Sequence, residues 1–153
     1  MVTLSAILQA PVQALLRPSM WLPFVRPLHS YKETWEIDCP KSEFVSSLLS
    51  AVHSVMEQED NTEFWDIHKV VEDGTFVRIF AFTRAEWLDV IEITYRDGQY
   101  EAHSFSSGVI PLVVPFACIC NLVLFCAPFL DMGLNKKRLQ RIREAMSVSV
   151  TVV

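Results

Sequence analysis

Residues Thr75–Phe105 read TFVRIFAFTRAEWLDVIEITYRDGQYEAHSF, and the reading of this stretch decides the fold. Its first run, Phe76–Phe82, is apolar on both alternating faces. That pattern suits an interior strand covered on each side better than an edge strand. Leu88–Tyr95 and Gln99–Phe105 follow, joined by Asp97-Gly98; upstream, Phe64–Val71 meets Thr75–Thr83 across Asp73-Gly74. Asp-Gly between β-rich runs marks a tight turn, because both central positions need positive φ. Two antiparallel hairpins are therefore predicted.

Working outward, Tyr31–Ile37 alternates, with Trp35 and Ile37 on one side and Thr34 and Glu36 on the other, as a half-buried strand does. Pro40 stops it. Phe44, Leu48, Leu49, Val52, Val55 and Met56 then recur at helical spacing, which predicts an amphipathic helix with one stripe facing the core. The polar run Gln58–Asn61 after it reads as a loop. A last helix is predicted from Asn135, taken as its N-cap, with Leu139, Ile142 and Met146 inward and Lys136, Lys137, Arg138, Arg141 and Arg143 on the remaining face. The class is α+β: an antiparallel sheet of about five strands covered by one long amphipathic helix and a C-terminal helix, in the order β-α-β-β-β-β-α. Apolar helical segments are added at the N-terminus and before the last helix. The division drawn from this pattern is 1–30 (apolar helix, about Leu4–Leu16, and proline-rich linker), 31–146 (a single α+β domain with an apolar insert at 109–130) and a β-prone tail at 147–153.

The 153 residues are 51% hydrophobic and 20% charged, which excludes disorder and points to apolar surface beyond an ordinary core. The net charge of -5, with basic residues clustered only around Lys136, argues against nucleic acid as a partner. Cys39, Cys118, Cys120 and Cys126 do not form a secreted disulfide framework, so an intracellular, reducing compartment is expected. Before Glu33 there is no acidic residue. No basic leader or small-residue cleavage site marks a secretory signal there. The missing acids fit a mitochondrial presequence, the low arginine count does not, and the mitochondrion is the runner-up location.

Between His103 and Asp131 no side chain carries a formal charge, and Val109–Leu130 is long enough by hydropathy for a membrane span. Pro111, Pro115 and Pro128 leave only Phe116–Ala127 as continuous helix, about 18 Å at ~1.5 Å per residue against a ~30 Å hydrocarbon core. A full crossing would also separate the last strand from the last helix. Three alternatives follow: an interfacial or re-entrant membrane contact, an interface with a protein partner, or burial within the domain. The residues expected to make membrane or partner contact are Val113, Phe116, Leu122, Leu124, Phe125 and Phe129.

Ser104-Phe105-Ser106-Ser107-Gly108 and, beyond the insert, Asp131-Met132-Gly133-Leu134-Asn135 with the basic run to Arg143 carry a further signal. Together they resemble the C-terminal signature of domain-of-unknown-function family 1499, with Asp131, Gly133, Asn135, Arg138 and Arg141 as the motif positions. The resemblance spans about Tyr31–Met146 and implies the same strand, helix, antiparallel strands, helix order. It departs from the family at Ser107, where an arginine is common, and in the insert, which replaces a short spacer. The family has no assigned activity, so a fold is implied and no reaction.

No catalytic motif is present. His29, His53, His68 and His103 lack metal-ligand spacing and read as surface or edge residues. The cysteines of the insert have no neighbouring base in sequence and read as buried and unreactive. The pairs Glu57/Glu59, Glu72/Asp73 and Glu86/Asp89 read as solvated ends. No catalytic residue, cofactor or metal is assigned, and the ligand-binding residues are left open. The leading expectation is a non-enzymatic, membrane-associated module. The alternatives are a soluble carrier of an apolar ligand held between the long helix and the sheet, and an enzyme with a dispersed site such as Cys39 with His53 or His103.

Overall fold

The computed structural model describes residues 2–58, 61–127 and 129–153. Glu59 and Asp60 of the expected polar loop, and the breaker Pro128, lie outside the described residues. Six strands, β1 (Ser30–Ile37), β2 (Phe64–Val70), β3 (Phe76–Phe82), β4 (Leu88–Arg96), β5 (Gln99–Ser106) and β6 (Val150–Val152), form one sheet in the order β2-β3-β4-β5-β1-β6. Every pairing is antiparallel. The chain is thus α+β, and the doubly apolar β3 lies inside the sheet between β2 and β4. The sixth strand is the tail, whose Val150–Val152 pairs with Trp35–Ile37.

The two Asp-Gly turns differ. Asp97 and Gly98 both take positive φ, 50° and 91°, as a two-residue hairpin requires. At the other turn only Gly74 does, at 71°, while the Asp73 carboxylate accepts from the Thr75 N–H and hydroxyl. That connection is a longer, side-chain-braced loop.

One face of the sheet is covered by α2 (Lys41–Glu57) and α4 (Leu134–Ala145). The α2 stripe Phe44, Leu48, Val52 and Val55 meets Trp35, Trp65, Ile79, Ile91 and Ile93, all buried. Each such side chain contributes on the order of 1.5–3 kcal/mol through burial. Phe44 stacks on Tyr100 with ring centroids 3.9 Å apart, so aromatic rings fill the space between helix and sheet. Desolvation pushes the Tyr100 phenol up to about 12, and its hydroxyl donates to the Gly74 carbonyl at 3.0 Å.

The other face is covered by α1 (Leu4–Leu16) and α3 (Ala117–Val123). Ala6, Ala10 and Ala14 lie on Phe80, Phe82, Val90 and Phe105, their small side chains letting α1 approach closely. The helix is strapped at both ends. Its N-cap Thr3 donates its N–H to Glu86 Oε1 at 3.1 Å. After its last turn, Arg17 Nη1 donates to Glu92 Oε2 at 2.8 Å, and Arg78 donates to the other oxygen of the same carboxylate. In between, Gln9 reaches the backbone of the insert at Leu112 and Val114, and Gln13 reaches Ser107 just before it. The segment set apart as 1–30 by composition is therefore a layer of the fold.

Two expectations about α4 need correction. Asn135 is not its N-cap: Gly133, at φ 77°, stands before the first turn, and the Asp131 carboxylate accepts from the N–H groups of Gly133 and Asn135. Arg138 does not belong to a solvated basic face, for it is 2% exposed and lies against the sheet. The insert also holds less helix than expected, because α3 has seven residues and its preceding residue Phe116 is left-handed, at φ 62°. No helix among the described residues is long and apolar enough to cross a membrane.

Candidate functional site

The two roots of the insert, Gly108-Val109 and Phe129-Leu130, meet beside the β3–β4 connection. A pocket of about 320 Å³ lies among them, walled by Trp87, Val109, Phe129, Leu130, Met132 and Leu134. Its polar lining is Thr83, Asp89, Ser106 and Asp131. Trp87 Nε1 donates to the Val109 carbonyl at 2.8 Å and ties the insert to the strand connection.

Asp89 is in phase with Ile91 and Ile93, so the pleat turns it to the α2/α4 face, opposite Ser106 of β5. It is 3% exposed. Arg138 Nη2 lies 2.7 Å from Asp89 Oδ2, and Arg138 Nε donates to Glu63 Oε2 at 3.1 Å. One guanidinium thus holds two carboxylates away from bulk water. Burial pushes the Asp89 carboxyl above the usual range; Arg138 and the Ser106 hydroxyl oppose the shift, and Glu63 adds to it. For Arg138 burial works against the charge, but Asp89 and Glu63 together outweigh it and hold the guanidinium above its ordinary value.

Asn135, fully buried, links this cluster to the chain entering β1. Its Nδ2 donates to the His29 carbonyl at 3.0 Å and to Ser106 Oγ at 3.2 Å, and its Oδ1 accepts from Ser104 Oγ at 2.6 Å. His29 stacks flat on Phe129, with centroids 4.6 Å apart, and its Nε2 contacts the Ser19 carbonyl. Burial lowers its pKa. Of the motif positions, Asp131 lines the pocket, while Asn135 and Arg138 lie behind it and hold its polar residues Ser106 and Asp89. Gly133 supplies the left-handed turn, and Arg141 lies apart, donating to Gln58 Oε1 at 2.7 Å.

The residues expected to contact a membrane or partner separate into two groups. Val113, Phe116 and Leu124 are exposed, Phe116 to 71%. Leu122 and Phe125 are half-buried, the latter against Trp21 at 5.4 Å, while Phe129 turns inward to His29 and the pocket. The exposed set is extended by Leu4, Leu8 and Leu15 on α1, by Phe24, and by Ile119 and Val123 on α3.

Other readings are corrected. Glu86 and Asp89 are buried and not solvated ends, and His29 is buried and not a surface residue. Cys120 and Cys126 are exposed and not buried. Cys39 packs on the α2 side of the sheet and His103 lies tilted against Phe105 of the opposite cluster, while His53 is exposed on α2. Those residues assemble no common site. Among the described residues no group of three or more His, Cys, Asp or Glu could hold a metal ion.

Sequence reasoning passed over Glu63, took Asp89 for a solvated end, and noted Ser104 and Ser106 only within the family signature. The signal available for Asp89 was its phase, two and four residues before Ile91 and Ile93. It was masked because β4 is buried on both faces and shows no simple alternation of apolar and polar residues. No family model, curated protein or solved structure matches the chain.

Proposed function

We propose that the chain is a non-enzymatic module that docks on a lipid surface through the layer formed by α1 and the insert. The orientation of α1 carries this reading. A helix covering a soluble domain turns its large apolar residues inward. Here the inward residues are Ala6, Ala10 and Ala14, and the large ones, Leu4, Leu8 and Leu15, face out, Leu15 to 74%. Val123 of the adjoining α3 is equally exposed, at 74%. Contiguous apolar surface of this kind marks a membrane or protein contact site.

Lipid is favoured by charge. No acidic residue occurs before Glu33 or between Glu101 and Asp131, so the layer offers nothing that anionic headgroups would repel, and Arg26 is exposed beside it. The 13 residues of α1 and the seven of α3 fall short of the ~20 that a crossing needs, so the layer would lie in the interface plane. Four free cysteines favour an intracellular membrane, the mitochondrion being the runner-up location. The arrangement of Asp131, Asn135 and Arg138 around one buried cluster supports divergent membership of family 1499, where such a motif would serve the fold.

The test is cosedimentation of the full chain with anionic vesicles, beside a variant carrying Leu4→Glu, Leu8→Glu and Leu15→Glu. Pelleting of the first and release of the second, both folded by circular dichroism, is the expected result. A full chain that stays in the supernatant as a detergent-free monomer sinks the proposal. A soluble dimer dissociated by the same substitutions replaces lipid with a second copy.

A further inference from the structure

The pocket at the root of the insert stands independently of membrane docking. Its size falls in the range of about 300–1,000 Å³ typical of small-molecule sites, with apolar walls and few polar groups. Its lining contains two carboxylates, Asp89 and Asp131, and no lysine, arginine or histidine. We infer that this pocket binds an apolar molecule whose head group is an amine, with Asp89 as the acceptor, and that it discriminates against carboxylates and phosphates.

Charge and hydrogen-bond capacity carry the argument. The cation behind the floor, Arg138, is committed: Nε and Nη2 to Glu63, Nη2 also to Asp89, and Nη1 toward Asn135 Oδ1 at 3.5 Å. It is also absent from the pocket lining, so it presents no donor to an incoming anion there. Two carboxylates on one guanidinium leave one formal negative charge in a dry setting when both are ionised. An anionic head group would add to that charge, and an ammonium would cancel it. An ionised carboxylate accepts at about four lone-pair positions, of which Arg138 and Ser106 occupy two on Asp89. The carboxyl can therefore accept from a ligand without giving up its protein partners. Asp131 is less free, because both its oxygens already accept from the first turn of α4. Trp87 and Phe129 supply aromatic walls of the kind that attract an ammonium face-on. The burial that raises the Asp89 pKa is the same burial that would strengthen a charge-assisted bond to an amine.

The experiment compares octylamine, octanol and octanoate, which share one chain length and differ in head group. Binding to the full-length protein is followed by isothermal titration calorimetry below the micelle concentration of each probe. Octylamine is expected to bind about tenfold or more tighter than octanoate, with octanol between them. Asp89→Asn should weaken octylamine by about tenfold while leaving octanol nearly unchanged. Because Asp89→Asn disturbs the ion cluster, Leu134→Trp serves as the second variant, filling the pocket from the first residue of α4. It should abolish binding of octylamine and leave vesicle pelleting as in the parent, which separates the pocket from the apolar layer. Equal binding of octanoate and octylamine overturns the assignment, as does no binding of octylamine, or binding that both variants leave intact.

Discussion

Arg138 of the last helix and Asp89 of the central strand β4 meet at 2.7 Å in a position where the arginine is 2% exposed, and Glu63 closes the cluster from the chain entering β2. The cluster joins the C-terminal helix to the sheet by charge where the remaining contacts, through Leu139 and Ile142, are apolar.

Arg138→Met is expected to destabilise the protein by about 3–5 kcal/mol, since it leaves the buried Asp89 and the half-buried Glu63 without their cation. Combining it with Glu63→Gln and Asp89→Asn should recover much of the loss, because no unpaired charge then remains. Urea unfolding midpoints of the single and triple variants check this. Equal loss in both means that the cluster acts through packing alone.

Gly108→Ala should cost about 1–3 kcal/mol, the usual range for forcing an extra methyl into a filled site. A Cβ there would come within 2.5 Å of the Asn121 side chain and 2.6 Å of Gln13 Nε2. Both neighbours are buried and hydrogen-bonded, Gln13 to the Ser107 carbonyl and Asn121 to the backbone of Val109 and Ile110. Thermal melts read the loss, and hydrogen exchange should place it in α1 and α3.

Stability should fall as pH drops below the ordinary histidine range. Burial lowers the pKa of both His29 and His103, so between 6.5 and the folded values the unfolded chain binds more protons than the native one. His29 faces Ser19, Asp131 and Phe129; His103 faces Glu92, Glu101, Lys32 and Arg17. Asp89 acts with the opposite sign: its raised pKa makes the native state bind the proton first, so its ionisation costs stability as pH rises through the folded value. Denaturation between about pH 7.5 and about pH 5.5 should therefore show a slope that His103→Gln flattens, while Asp89→Asn should steepen the slope in the range that opens above 3.8. An unchanged slope in both variants refutes the assignment.

Asn135→Asp should destabilise by about 1–3 kcal/mol despite its near-identical shape. The amide donates to the His29 carbonyl and to Ser106 Oγ, and a carboxylate facing that carbonyl has no proton to give. Asn135→Asp should also lose less at low pH, where a protonated carboxyl restores one donor. A chemical denaturation series at two pH values shows whether it does.

Glu86→Ala should release the N-terminal end of α1 while the rest of the sheet keeps its protection. Glu86 is buried, left-handed at φ 63°, and accepts from both the N–H and the hydroxyl of Thr3. Faster amide exchange confined to the first turns of α1 is the expected pattern; uniform acceleration would mean that the strap supports the whole fold.

What the sequence determined by itself was the local architecture, because strand alternation, helical spacing and Asp-Gly turns report on neighbours a few residues away. The helix Lys41–Glu57, the two hairpins and the interior place of Phe76–Phe82 were legible for that reason. The strand formed by Val150–Val152 was not, since three residues become a strand only when β1 offers its edge. The polar floor of the pocket was hidden for a related reason. Glu63, Asp89 and Arg138 lie far apart in sequence; Glu63 and Arg138 stand beside polar residues that make solvent look the natural surrounding, and Asp89 stands alone among apolar ones. Only the register that sets Asp89 opposite Ser106, and the capping of α4 by Asp131, bring the three charges out of water together. Composition likewise disclosed an excess of apolar residues without saying where they face. The tertiary structure decided that the alanines of α1 take the sheet and the leucines are left outside, because only small side chains fit between that helix and the aromatic face of Phe80, Phe82 and Phe105.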